Sequence, residues 1–337
     1  MTPDALSAAT SPVPATIITG CLGAGKTTLL NNLLRQPHGR RFALLINEVS
    51  DLGIDDLLIE RHDEEVVLLA NGCICCTVRK DLVDGIRRML QRGGFDYLLI
   101  ETTGLASPGP IAQTFLNVPA LSPYVRLDGI VTLVDLEQIE RQLSELSVCV
   151  EQIAQADFIV LNKTDLVDAA SISRTEALIA RMNPHAAIIR SKQASVDLRA
   201  IVDVEAFDVD RIGSLTQHAA QAAAGNSHDL PQSVSVRLSG LFDAYRLQAF
   251  LEELSHRGGV FRSKGILAVA GSRRRAVFHG VNSRFTIYWD RPWHEQEERE
   301  SRLVFIGRDL DAETLRRRLH ACMLPQLSPK PVVSNCI

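Results

Sequence analysis

Gly20-Cys21-Leu22-Gly23-Ala24-Gly25-Lys26-Thr27 lies between an apolar run and a helix-patterned stretch and has the spacing GxxxxGK[ST]. Glycines in such a loop let backbone N–H groups face phosphate oxygens with no Cβ in the way. A helix that starts near Lys26 turns its positive end to the same anion. Lys26 is expected to reach the β- and γ-phosphates and Thr27 to set its hydroxyl on Mg²⁺, with Thr28 completing the nucleotide-binding set. A second apolar run, residues 97–100, delivers Glu101, the expected carboxylate of the Mg²⁺ shell, where many P-loop proteins carry Asp. Gly104 follows, placed so that its N–H can sense a γ-phosphate. A third run, residues 158–161, leads into Asn162-Lys163-Thr164-Asp165. The Asp165 carboxylate can accept two N–H donors from the guanine edge, a pair that adenine lacks, so the base expected is guanine and the nucleotide GTP. No Gln or His is singled out by position as the residue that orients an attacking water.

Asn71-Gly72-Cys73-Ile74-Cys75-Cys76-Thr77 is the most unusual stretch of the chain. Three thiols within four residues suit a soft or borderline cation, Zn²⁺ or Cu(I), with Co²⁺ and Fe²⁺ as alternative cargo set by supply. Three sulfurs leave a tetrahedral ion one ligand short, which suits a protein that passes metal onward, because structural zinc sites are closed. Two other readings compete: small buried hydrophobes, and a redox pair, which adjacent cysteines form only as strained disulfides. The remaining cysteines, Cys21, Cys149, Cys322 and Cys336, read as scattered buried or surface residues.

These residues need a scaffold. From 15 to 204 short apolar runs (15–19, 42–47, 66–69, 97–101, 129–134, 158–162, 187–190) alternate with helix-patterned stretches (27–35, 78–92, 136–154, 171–183). That alternation predicts an α/β fold with a mostly parallel sheet, whose ligands bind at the carboxyl ends of strands. Residues 205–231, rich in Ala, Gln, Ser and Gly, read as a linker, and 232–325 as a smaller α+β domain. Its expected strands are 233–238, 266–270, 276–279, 286–289 and 302–306, and its expected helices 243–256 and 312–322. Residues 1–13 and 326–337 read as tails. The net charge of −4 and the single short basic run Arg273-Arg274-Arg275, read as a solvated turn, point to no nucleic-acid partner. No apolar stretch is long enough to span a bilayer, and the odd count of seven cysteines is not a secreted disulfide framework, so the expected location is cytoplasmic.

The segments GCLGAGKTTLLN, NGCICCTVRKDL, ETTGLASP and LNKTDL occur together in this order. The chain thereby resembles the CobW-type GTPases, a family that includes cobalamin-biosynthesis CobW proteins, zinc metallochaperones and nitrile hydratase activators. RSKGILAVAG and RLVFIGRDLD resemble that family's carboxyl-terminal domain, so the resemblance runs from about Ala15 to about Leu324. It implies a P-loop NTPase domain and slow GTP hydrolysis coupled to delivery of a transition metal, usually Zn²⁺, to a client metalloprotein. Cys73, Cys75 and Cys76 correspond to the metal-binding CxCC motif, and Glu48 belongs to the preceding switch segment. That segment reads Asn47-Glu48-Val49-Ser50-Asp51 where the family has NEFGE, and the linker holds only His218 and His228 where many members carry a histidine run. The competing function is a nucleotide-gated scaffold or assembly factor with a structural zinc; either can form a homo-oligomer.

Overall fold

The computed structural model describes residues 12–37, 39–47, 65–69, 77–118, 121–202 and 230–325. Seven strands form the first sheet: β1 Val13–Gly20, β2 Phe42–Asn47, β3 Glu65–Leu69, β4 Tyr97–Glu101, β5 Val125–Asp135, β6 Phe158–Asn162 and β7 Ala187–Arg190. Their order is β3-β2-β4-β1-β5-β6-β7 and every pairing is parallel. Helices α1 Lys26–Arg35, α2 Thr77–Arg92, α3 Gly109–Asn117, α4 Ile139–Glu145, α5 Ser147–Gln155 and α6 Ala169–Met182 make the crossovers.

Strands β1, β4, β5 and β6 are buried on both faces, which is why they read as continuous apolar runs. Ile18, Leu99, Val131 and Val160 meet Leu29 and Leu33 of α1 on one side. Ile17, Leu98 and Ile100 meet Leu82 and Ile86 of α2 and Ile111 and Phe115 of α3 on the other. Ile159 and Leu161 extend that second layer over Val150 and Ile153 of α5 and Ile179 of α6. The single helix expected at 136–154 is two, α4 and α5, because Leu146 between them is extended (φ −125°, ψ 101°).

The second sheet is antiparallel throughout, ordered β11-β10-β9-β12-β8, from β8 Gln232–Ser239, β9 Val260–Leu267, β10 Arg274–Val281, β11 Arg284–Pro292 and β12 Glu300–Gly307. Helices α7 Ala244–Arg257 and α8 Ala312–Ala321 cover one face through Leu247, Phe250, Leu315 and Leu319. The other face packs on the first unit, where Val304 and Ile306 meet Ala154 of α5. β9 begins earlier than expected because Arg262 and Lys264 are not loop residues. They point at Asp157, which precedes β6. The basic run is also corrected: Arg274 and Arg275 belong to β10, and Arg275 is buried between Asp290 and Glu297.

Candidate functional site

β1 ends at Gly20 and α1 begins at Lys26, so the GxxxxGK[ST] loop sits between strand and helix at the carboxyl edge of the central strand. Gly25 caps α1 with φ +104°, a conformation that L side chains rarely adopt, and an added Cβ would lie 2.6 Å from Asn162 Nδ2. No side chain caps α1 and no acidic residue occupies its first turn, so the helix end keeps its positive character for an anion. Lys26 Nζ donates to the Gly20 and Cys21 carbonyls at 3.0 and 3.2 Å, which holds the ammonium across the mouth of the loop. Thr27 Oγ1 donates to Glu101 Oε1 at 3.2 Å.

Parallel pairing sets Ile18 of β1 opposite Glu101 of β4, and the Thr102 N–H bonds the Ile18 carbonyl at 3.0 Å. Register therefore delivers the carboxylate to the phosphate loop. Next in the chain, Thr103 Oγ1 is buried with no hydrogen-bond partner. Gly104 packs on the loop so closely that a Cβ there would be 2.7 Å from the Leu22 nitrogen. The Thr27 hydroxyl, the Glu101 carboxylate and the orphaned Thr103 hydroxyl beside an uncapped helix end suit Mg²⁺ with phosphate, because Mg²⁺ prefers hard oxygen ligands.

On the other flank, Asn162 is engaged through both its amide nitrogen and its amide oxygen. Its Nδ2 donates to the Ala24 carbonyl at 2.8 Å and its Oδ1 accepts from the Ala194 N–H at 2.7 Å. Lys163 has φ +64°, and its Nζ pairs with the buried Asp135 at 2.6 Å. Thr164 uses both N–H and hydroxyl on the Ser191 carbonyl, and Asp165 is exposed. The structure thus brings together residues 20–28, Glu101, Gly104 and Asn162, with Lys163 next to them on Asp135 and Asp165 exposed two residues on. Cys73, Cys75, Cys76 and Glu48 lie outside the described residues, as do the linker histidines His218 and His228. The described neighbours of the cysteines are Leu69, at the carboxyl end of β3, and Thr77, which opens α2. Among the described residues no group of three or more His, Cys, Asp and Glu could hold a metal ion, and no helix is long and apolar enough to cross a membrane.

Three contributors escape the sequence reading. Asp135 anchors Lys163; an acid closing β5 at the ligand-binding edge was its only signal. The turn 191–194, with Gln193 and Ala194 at φ +49° and +53°, backs the segment 162–165 and follows directly from β7. Gln152 of α5 reaches the Gly104 and Ala106 carbonyls. The cysteine reading also changes. Cys21 and Cys149, both buried, form a disulfide that ties the phosphate loop to α5, with Cα atoms 6.2 Å apart. Cys21 Sγ lies 3.4 Å from Gln152 Oε1, a contact that is a hydrogen bond only when the pair is reduced and Cys21 keeps its proton. Cys322 is free and buried.

Away from this edge, three perturbed titratable groups lie around the contact between the units. Burial pushes the Asp157 carboxyl up, but the charges of Arg262 and Lys264 outweigh it and hold the group below its ordinary value. Burial, then Lys264, lowers His185 to about 4, and burial with Arg262 and Lys264 takes His279 well below its ordinary value.

Comparison with known proteins accords with this geometry. The family model described as CobW/HypB/UreG, nucleotide-binding domain, matches residues 14–190, and the cobalamin synthesis protein cobW C-terminal domain matches residues 231–323. The chain is 34% identical over 313 residues to the zinc chaperone YjiA of Escherichia coli (strain K12), covering 91% of this chain and 97% of that protein. It is 35% identical over 347 residues to the zinc chaperone CobW of Pseudomonas aeruginosa, covering 92% of each. The crystal structure of Zn(II)-bound YjiA GTPase from E. coli matches with a TM-score of 0.67 at 26% identity, over 93% of this chain and 100% of that one.

Proposed function

This chain belongs to the CobW/HypB/UreG family of P-loop GTPases, and from that premise we propose that it couples GTP hydrolysis to delivery of Zn²⁺ to a client metalloprotein. The observation that carries the reading is the Thr27–Glu101 contact beneath an uncapped helix end, with Gly104 packed against the same loop. Lys26 and the N–H groups of residues 20–28 bind the phosphates. Thr27 and Glu101 hold Mg²⁺, which when bound neutralises phosphate charge. Asn162 and Lys163 brace the base site, and Asp165 reads guanine. The Gly104 N–H responds to the γ-phosphate, as switch segments do in GTPases.

Cys73, Cys75 and Cys76 supply the thiolates for Zn²⁺, with Glu48 as the candidate fourth ligand. They fall in the chain between the two segments that a γ-phosphate would order, residues 48–53 and the Gly104 loop. Zinc affinity then depends on the nucleotide, and by linkage zinc changes nucleotide affinity by the same factor. Relatives named as zinc chaperones favour Zn²⁺ over Co²⁺ or Fe²⁺ as cargo. The test is the rate of Zn²⁺ transfer to a chromophoric chelator from protein loaded with GTP, GDP or a non-hydrolysable analogue. The expected outcome is a difference of about tenfold between nucleotide states, abolished in Cys75→Ser. Equal rates in all three states, with zinc retained and unfolding on its removal, would instead make the metal structural and the protein a nucleotide-gated scaffold.

A further inference from the structure

The residue that binds the Gly104 loop to the rest of the site sits on a helix with no established part in the chemistry. Gln152 is 1% exposed, and its side-chain amide lies between the Gly104 segment and the phosphate loop. Its Nε2 donates to the Gly104 carbonyl at 3.3 Å and to the Ala106 carbonyl at 3.0 Å. Its Oε1 faces Cys21 Sγ of the phosphate loop. Its own backbone carbonyl accepts from Thr132 Oγ1 of β5 at 2.7 Å, which fixes the helix turn that carries it.

The far end of α5 is fixed as firmly. Gln155 Nε2 donates to Asn282 Oδ1 in the β10–β11 turn at 3.0 Å, and Asp157, just past the helix, carries Arg262 and Lys264 of β9. A short helix held at both ends is a stiff mount. The Gln152 amide therefore ties the Gly104 and Ala106 carbonyls to a mount that is fixed at both ends.

We propose that Gln152 is a positioning residue for GTP hydrolysis, holding the Gly104–Ala106 segment against the phosphate loop from a helix anchored on the carboxyl-terminal domain. Its Nε2 is used on the Gly104 and Ala106 carbonyls, so it acts through the Gly104 segment. The inference rests on the reading of Gly104 as the segment that answers to the γ-phosphate.

Two variants test it. Gln152→Glu keeps the volume but replaces the donor amide with a carboxylate that faces two carbonyls. Gln152→Met keeps the length and removes polarity. Single-turnover GTP hydrolysis is expected to fall at least about tenfold in both at pH 8, with GDP affinity kept within about threefold, because GDP offers no γ-phosphate to the moved segment. Lowering the pH toward about 5.5 should return most of the rate to Gln152→Glu relative to wild type, because a buried carboxyl takes up a proton early and then donates as the amide did. Gln152→Met should show no such recovery. Unchanged turnover in both variants, a parallel loss of GDP affinity, or a Gln152→Glu defect that does not ease with acid would each overturn the proposal. If Gln152→Met does not fold, the Gln152→Glu profile alone decides. Gly104→Ala separates the two layers. Normal turnover there removes the reading of Gly104, whereas a crippled Gly104→Ala beside normal Gln152 variants removes only the role of Gln152.

Discussion

The five-residue strand β6 joins two sites of opposite character. At its carboxyl end Asn162 touches only backbone groups, Lys163 leans on one buried acid, and Asp165 is exposed. At its amino end Asp157 is buried, takes the Ile130 N–H at 2.9 Å, and faces both Arg262 and Lys264. The first end is braced from behind and open in front, as a ligand site must be. The second is closed on every side. Yet titration shifts gather at the closed end, on His279, His185 and Asp157. Perturbed pKa values mark functional sites only on average, and here desolvated charge marks the seam between two domains.

If that contrast is right, the closed end breaks first in stability. Asp157→Ala would strand two cations and the Ile130 N–H, a change of the kind that costs about 3–5 kcal/mol. Urea unfolding should show that loss while GDP affinity of the folded protein stays within about threefold. An undiminished unfolding free energy would make Asp157 as dispensable as a surface carboxylate. Asp165→Asn probes the open end. GTP affinity should fall on the order of a hundredfold, about 3 kcal/mol, with no change in unfolding midpoint without nucleotide. Xanthosine triphosphate should recover much of it, since xanthine carries a carbonyl where guanine has its amine and an amide can donate there. A base preference untouched by Asp165→Asn would point to an ATP site instead.

The open end was legible in the sequence because its chemistry is local: a strand, a turn and a ligand-facing residue lie within ten positions. Glu101, Asn162 and Lys26 need nothing else to be placed. The closed end was not legible, because its logic spans distant segments. Arg262 and Lys264 fell outside the strand expected at 266–270, since periodicity equates a buried face with apolar side chains, whereas Arg262 is buried and Lys264 part-buried against an acid 105 and 107 residues away. Cys21 and Cys149 pair across 128 residues with no local signal. Gln152 is an ordinary helical glutamine until the Gly104 carbonyls are set beside it. Leu146 ends α4 without the Gly or Pro that would advertise a break.

The smallest expected effect tests whether the seam responds to pH while the nucleotide edge does not. His185 Nε2 lies 3.0 Å from Ser233 Oγ of β8, so its ring bridges the two units, and Lys264 is the charge that opposes its protonation. Its folded value of about 4 lies below the ordinary 6.5. Between those limits the unfolded chain binds a proton that the folded chain refuses, so stability rises with pH across the window and is lost as pH falls from 6.5 toward 4. His279 acts in the same direction. Asp157, held below 3.8, stays charged throughout the window and does not contribute to the slope. Discounted for the partial exposure of His185, the loss is about 2 kcal/mol. Thermal unfolding without nucleotide should therefore show a midpoint that drops between pH 7 and pH 4.5, and His185→Gln, which keeps a donor for Ser233 but cannot titrate, should flatten much of that slope. A slope that His185→Gln leaves intact would move the pH response away from the seam, and the two ends of β6 would then differ in burial alone.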